Sequence, residues 1–415
     1  MDIIFYGDKA TMHQRSQPMD RKMMREINQN TLLNLIRTHA PVARTQLKKL
    51  SGLSMGTIVG ITTVLIEQQL VVETGVAEST GGRKAGLLEI HPEGGYVIGI
   101  DLWENKITAA LLNLHGNIIY KEIWSAPLRD NASHAVESIA SGVEAFISHL
   151  PIPREKILGL GCGLSGSVNP HTGVSVDNWQ LNWHNLELSF PLMGSLNMPV
   201  FVDNEVNCFA SYEKLYGNGQ KYHNFLLVSL GRGLGMASVI RDEPFRGGQG
   251  LGAEFGHIPF DVNGRLCECG NRGCFEAYIA DHGIYNTYLE LCNEPASVKA
   301  GEVNAATIHE VYERAQSGDA RACKTFEETG VRLGIGLAVL VNLFNPECII
   351  INGGEGHWVN LIQDSMKTAM QEHLFSQMGS NLEMIIEHNP TRLNWARGAG
   401  CLVLRDFFSS PAQLS

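Results

Sequence analysis

The chain of 415 residues contains no run of about 18 apolar residues, so no segment reads as a membrane-crossing helix. Its opening stretch, MDIIFYGDKATMHQRSQPMDRK, lacks the basic region and long apolar core of a secretory signal. Cysteine is sparse. There are nine, an odd number, scattered except for one group, which excludes a disulfide framework and suits a reducing cytoplasm. Basic charge is also in deficit, with a net charge of −11 that would argue against a nucleic-acid partner if it were spread evenly. It is not: residues 1–90 carry 11 basic and 8 acidic side chains, the remainder 21 and 35. A mildly basic head on an acidic body points to a polyanion for the head and a different ligand for the body. What is present is ordinary for a soluble globular protein, 44% apolar and 18% charged, with length for two or three domains.

The head reads as three short helices and an extended stretch. Residues 1–25 are polar and irregular, an expected arm. Leu32, Leu33, Leu35 and Ile36 share one helical face, and Pro41 breaks the pattern. Thr45 is placed to cap a second helix with Leu47 and Leu50 inward. Ser51-Gly52-Leu53 is a turn, and Ser54 caps a third helix with Ile58, Ile61 and Leu65 at helical spacing. Val71 and Val72 begin an extended segment that runs through Gly81-Gly82-Arg83-Lys84. The pattern predicts a winged helix-turn-helix over residues 26–90. In it Ser54, Met55 and Thr57 open the helix that enters the major groove, and Arg44, Thr45, Gln46 and Lys48 grip phosphates. Arg83 and Lys84 are expected to reach a minor groove.

One group of residues reads as a metal site. His257, Cys267, Cys269 and Cys274 offer one imidazole and three thiolates within eighteen positions. That donor set suits tetrahedral zinc, and four protein ligands leave no position for a reactive water, so the expected zinc is structural. Gly270 and Gly273 permit the sharp turns such a knuckle needs.

From Gly94 onward strands alternate with helices, and several strands run into glycine turns that carry polar residues: ILGLGCGLSG, PVFVDNEVN, NFLLVSLGRGLGMASVI and CIIINGGEG. The segment Ala253-Glu254-Phe255-Gly256-His257, followed by Cys267-Glu268-Cys269-Gly270-Asn271-Arg272-Gly273-Cys274-Phe275-Glu276, resembles the GExGH and CxCGxxGCxE signature of the ROK family of sugar kinases and sugar-responsive repressors. With its head and GGRK strip, the chain looks like the repressor branch, the xylose-type repressors in particular. The resemblance implies an α/β, two-lobed actin-like (ribonuclease H-like) sugar kinase fold behind the head. It divides the body into a small lobe, residues 91–206 completed by about 388–415, and a large lobe, 207–387, with the knuckle.

A sugar needs converging hydrogen-bond groups. The resemblance assigns Glu254, His257 and Glu276 to one edge of the ring and Asn204 and Glu205 to another, with Ser165 and Gly166 in a turn lining the pocket. Trp183 matches a family tryptophan near the site, or packs in the core. Two departures from the kinase pattern stand out. The family's catalytic aspartate is replaced by Glu205 in Asp203-Asn204-Glu205, and the phosphate loop resembling DxGGTK is replaced by Asp101-Leu102-Trp103-Glu104-Asn105-Lys106, which puts bulk and negative charge where phosphates sit. Gly231, Gly233, Gly235, Gly353 and Gly354 remain. The sequence-based expectation is a cytoplasmic, non-enzymatic regulator that binds operator DNA and a monosaccharide, assembles as a homodimer or homotetramer, and has no membrane partner. The alternative is an ATP-dependent sugar kinase with an added domain.

Overall fold

The computed structural model describes residues 21–76, 86–353, 358–388 and 391–409. The chain divides into two compact units: residues 1–91 with 406–415, and residues 92–405.

In the first unit, helices Arg21–His39, Arg44–Ser51 and Met55–Glu67 precede strands Val71–Val76 and Gly86–Ile90. These strands pair antiparallel, and Val42–Ala43 adds a third strand on the other side of Gly86–Ile90. Leu32, Leu33, Ile36, Leu47, Ile58, Ile61 and Leu65 are buried, as helical spacing requires. Ser54 caps the third helix, its Oγ accepting from the Thr57 N–H at 3.1 Å. Two expectations fail here. The second helix begins at Arg44 with no side-chain cap, so Thr45 lies inside its first turn. Leu50 is 43% exposed although it follows buried Leu47 by one turn on the same helical face, because it lies in the helix's last turn beyond the packed core. The chain's described end belongs to this unit: Asn30 Nδ2 donates to the Ser409 carbonyl at 2.9 Å, and the Arg37 guanidinium lies 5.4 Å over the Phe408 ring.

The second unit contains two five-stranded sheets of identical plan. In the first, Tyr96–Trp103, Lys106–Asn113 and Ile118–Ser125 form an antiparallel meander, and Ile157–Leu164 and then Val200–Asn204 extend it in parallel on the side of Tyr96–Trp103. In the second, Phe225–Leu230, Leu234–Ile240 and Glu243–Phe245 form the meander, and Cys348–Gly353 and Glu383–His388 extend it in parallel. Numbered within each sheet, both have the order 3-2-1-4-5. This repeated order, with helices on the sheets, is the actin-like α/β fold. The central strands are buried along almost their whole length, which is why they read as continuous apolar runs.

Between the fourth and fifth strands of the first sheet lies a small antiparallel sheet, Ser167–Asn169, Val174–Asn178 and Trp183–Glu187. Its apolar base joins the first sheet's core through Val168, Leu181 and Trp183.

Candidate functional site

Parallel strands deliver their ligand-bearing residues at their carboxyl ends. Strand Val200–Asn204 ends where helix Glu205–Leu215 begins, and Asn204 makes that junction. Its Oδ1 accepts from the Val206 N–H at 2.8 Å, and its Nδ2 donates to the Gly166 carbonyl at 2.9 Å. Gly166 has φ +82, and a Cβ there would lie 2.2 Å from the Asp177 carbonyl, so the turn that brings it to Asn204 requires glycine. Gly166, Asn204, Asn207 and Glu254 line one concavity, closed by segment 250–253. Burial pushes the Glu254 carboxyl up, His257 draws it back down and Glu276 raises it again. Ala253, just before it, has φ +77, a conformation that costs an L-residue energy and is held by the surrounding loop.

A buried ion pair fastens the floor of this concavity. Arg246, following the third strand of the second sheet, donates from Nε to Asp203 Oδ2 at 2.9 Å and from Nη2 to the same oxygen. Asp203 lies on the last strand of the first sheet, so the pair joins the two sheets; its side chains are 1% (Asp203) and 11% (Arg246) exposed. Asp203 Oδ1 also accepts from the Asn204 N–H at 2.8 Å and from Asn207 Nδ2 at 3.1 Å, which holds both asparagines in place.

His257, Cys267, Cys269 and Cys274 come together with all four donor atoms within 4.8 Å of one another. Cys267 Sγ is 3.7 Å from His257 Nδ1, and Cys269 Sγ is 3.6 Å from Cys274 Sγ. Bonds of about 2.0–2.3 Å to a central tetrahedral ion give donor separations of this size, so the residues fit such a cation. Burial raises the Cys267 and Cys274 thiols, and a bound cation would replace their protons. Gly273 has φ +73, and a Cβ there would overlap the Asp261 carbonyl at 1.5 Å, so no other residue fits this turn. With Nδ1 facing the thiols, His257 keeps Nε2 for a second partner.

Glu276 ties this knuckle to the neighbouring glycine turn. Its Oε2 accepts from the Leu234 N–H at 3.0 Å, and its Oε1 lies 3.8 Å from Cys267 Sγ. Glu276, Glu205, His257 and Ser165 are absent from the lining of the Asn204–Glu254 concavity. Ser165 Oγ donates to Gln180 Oε1 at 2.9 Å. Glu205 sits with Asp101 around Arg392, whose Nη1 is 3.8 Å from Glu205 Oε2 and 3.5 Å from Asp101 Oδ2. Burial raises both carboxyls. Asp101 reaches about 7, with Arg392 opposing the shift and Glu205 adding to it.

The first hairpin of each sheet faces this region. Trp103 pairs with Lys106 across a turn in which Glu104 has φ +49. The Trp103 ring takes two cations, Lys106 Nζ at 4.9 Å and the Arg392 guanidinium at 4.7 Å. Glu104 pairs with Arg232 of the second hairpin, 3.2 Å apart. Gly354 lies outside the described residues.

The structure separates two tryptophans that sequence reasoning did not. Trp183 is fully buried, and its Nε1 donates to the Leu128 carbonyl at 2.9 Å, so it packs in the core. Trp179, which the sequence analysis passed over, is 43% exposed and its ring lies 6.0 Å from that of His257. Its only signal in the sequence was its place after the Gly166 turn.

In the first unit Thr45, Gln46, Lys48 and Ser54 are exposed, and Met55 and Thr57 are half-buried. Arg44 is half-buried, its Nε donating to Thr62 Oγ1 at 2.9 Å and its Nη1 to partly exposed Glu73 at 2.6 Å. Arg83 and Lys84 lie outside the described residues.

Residues 97–406 match the model of the ROK family. The putative xylose repressor of Caldicellulosiruptor sp. (strain Rt8B.4) is 30% identical over 358 residues, 85% of this chain and 89% of that protein. The xylose repressor of Bacillus subtilis (strain 168) is 28% identical over 88% of this chain and 92% of its own length. The DNA-binding transcriptional dual regulator NagC of Escherichia coli (strain K12) is 26% identical over 88% and 89%. Among solved structures, a ROK family transcriptional regulator described as a homologue of the E. coli MLC protein superposes with a TM-score of 0.78 at 26% identity, covering 94% of this chain and 98% of that one. A ROK family glucokinase from Streptomyces griseus, in complex with glucose and AMPPNP, gives 0.61 at 25% identity, covering 74% of this chain and 99% of its own.

Proposed function

The chain belongs to the ROK family, and from that premise we propose that it is a sugar-responsive transcriptional repressor of carbohydrate-utilisation genes. One observation carries the reading: the regulator structure spans 94% of the chain, whereas the glucokinase, matched over 99% of its own length, spans 74%. What this chain has beyond a kinase is therefore present in a regulator.

The first unit acts as a winged helix-turn-helix. Helix Met55–Glu67 enters the major groove through Ser54, Met55 and Thr57, while Thr45, Gln46 and Lys48 meet phosphates and the Arg83-Lys84 strip reaches the minor groove. The protein works in the cytoplasm as a homodimer or homotetramer, two heads reading a pseudo-palindromic operator. The effector is a monosaccharide. Gly166, Asn204 and Glu254 line its pocket, and His257 and Glu205, which lie outside that lining, complete the site by the ROK resemblance. Glu276 contributes by holding the Leu234 turn against the knuckle. Zinc at His257, Cys267, Cys269 and Cys274 is structural; when bound it fixes His257 and closes the knuckle, with no position left for chemistry.

Kinase activity is disfavoured by the first hairpin, where Trp103 with its two cations and the Glu104–Arg232 pair occupy the turn that seats phosphate in the kinase pattern. Sugar in the cleft favours one closure of the two sheets and biases the DNA-competent state.

The test pairs operator binding with a sugar panel. Purified full-length protein should bind a duplex from its own promoter region with strong salt dependence, and one monosaccharide should change that affinity. Glu254→Ala should abolish the response to sugar. Sugar-dependent ATP turnover at ordinary enzyme rates would overturn the repressor reading.

A further inference from the structure

Trp179 stands at the end of strand Val174–Asn178, in a turn built tightly enough to present one side chain. Asn178 is buried, its Nδ2 donating to the Ser165 carbonyl at 2.9 Å and its Oδ1 accepting from the Leu181 N–H at 2.8 Å. Gln180 is held by Ser165 Oγ, and Trp183 anchors the far side in the core. Trp179 alone among the turn's large side chains is left 43% exposed. A single exposed indole is ordinary on a protein surface, so its neighbours and not its exposure mark it out.

Those neighbours say which ligand it would meet. The residues just before it, Asp177 and Asn178, pack on Gly166, which lines the concavity with Asn204 and Glu254. The His257 ring lies 6.0 Å away at an interplanar angle of 58°, a tilted contact that places the half-exposed indole beside the knuckle histidine. A pyranose is amphipathic: its hydroxyls point outward around the ring, while axial C–H groups make one or both faces apolar. Carboxylates and amides answer the hydroxyls, and an aromatic face answers the C–H groups.

We propose that Trp179 is the stacking platform of the sugar site and selects pyranoses whose stacked face carries only axial hydrogens. This rests on the sugar-responsive reading above and deepens it. The effector class is then the all-equatorial pyranoses, for which D-xylose, D-glucose and N-acetyl-D-glucosamine serve as probes. D-Mannose and D-galactose place an axial hydroxyl on one face and D-allose on the other, so discrimination among these epimers reports which face meets the indole.

The experiment is calorimetric titration of the full-length protein with these six sugars, repeated on Trp179→Ala and Trp179→Phe, with tryptophan fluorescence recorded alongside. The wild type is expected to bind at least one all-equatorial sugar and to reject the epimers of one face by tenfold or more. Trp179→Ala should weaken the all-equatorial sugar by tenfold or more and erase the discrimination. Trp179→Phe should keep binding within a few-fold and lose the sugar-induced fluorescence change, which reads the contact even where the alanine variant does not fold. If the wild type binds sugar and Trp179→Ala binds it within twofold with the same selectivity, the platform assignment is wrong while the sensor reading stands. A Trp179→Ala variant that changes association state but not sugar affinity also overturns it, placing the indole at a protein contact. No binding of any sugar by the wild type, with operator affinity unmoved, removes both.

Discussion

The two sheets of the body share one strand order and differ at the same structural position, the hairpin between the first and second strands. In the second sheet that turn keeps Gly231 and Gly233 around Arg232. In the first it is Glu104-Asn105, flanked by Trp103 and Lys106, with Glu104 in the left-handed region and its carboxylate reaching Arg232 of the other hairpin. Strand pattern therefore preserved the fold in both lobes, while a few turn residues decided what each hairpin can hold. A glycine turn leaves backbone N–H groups open to an anion, and a turn filled by an indole and a carboxylate does not.

The strongest test of this asymmetry is at the metal knuckle, which belongs to the second sheet alone. Cys269→Ser should lose stoichiometric zinc by atomic emission and lower the melting temperature sharply, since structural zinc contributes on the order of 10 kcal/mol of apparent binding free energy. A variant that retained the metal and its stability would mean the four residues are not a metal site.

Next in size is the ion pair that joins the sheets. Arg246→Met strands the Asp203 carboxylate in the interior and should cost about 3–5 kcal/mol in denaturant unfolding. Adding Asp203→Asn should recover part of that loss, and no recovery would show that Arg246 acts through packing instead.

Asp101 offers a pH test confined to the first sheet. Burial raises its folded pKa from 3.8 to about 7, so between those values the folded state binds more protons than the unfolded one. Its contribution to stability is then greatest at low pH and declines as pH rises from about 4 to 7. Asp101→Asn should flatten that decline, which chemical denaturation at several pH values would detect.

The smallest effect is expected at the bridge between hairpins. Both partners are partly exposed, at 33% and 51%, so Glu104→Gln should change stability by less than about 1 kcal/mol. A larger loss would make the two hairpins a structural unit and not merely neighbours.

Much of this was legible because it is local in sequence. Ile58, Ile61 and Leu65 mark a helix face through spacing alone, and the strands Tyr96–Trp103 and Cys348–Gly353 are apolar runs bounded by turns. The first helix–turn junction was harder to place: Thr45 looks like a cap, yet the helix starts at Arg44, where the guanidinium finds Thr62 and Glu73. Those partners are 18 and 29 residues away, beyond the reach of a local pattern.

The candidate site divides the same way. The donor set His257, Cys267, Cys269 and Cys274 could be read directly, because metal ligands close together in the chain must use short turns and Gly270 and Gly273 supply them. The hold of Glu276 on Leu234 could not, since the two lie 42 residues apart. Nor could the Arg246–Asp203 pair, which joins residues of two different sheets.

The sequence by itself determined the repeating strand-and-turn plan, the grouping of one histidine with three cysteines and the Trp103-Glu104 turn, because each is a matter of residue type at short spacing. The tertiary structure alone decided that Trp183 is core and Trp179 surface, that Arg44 pairs with Thr62 and Glu73, and that Asp203 carries the join between the sheets. The physical reason is common to all three: burial and pairing depend on which distant segments arrive alongside, and two tryptophans four residues apart look alike until the fold removes one of them from water.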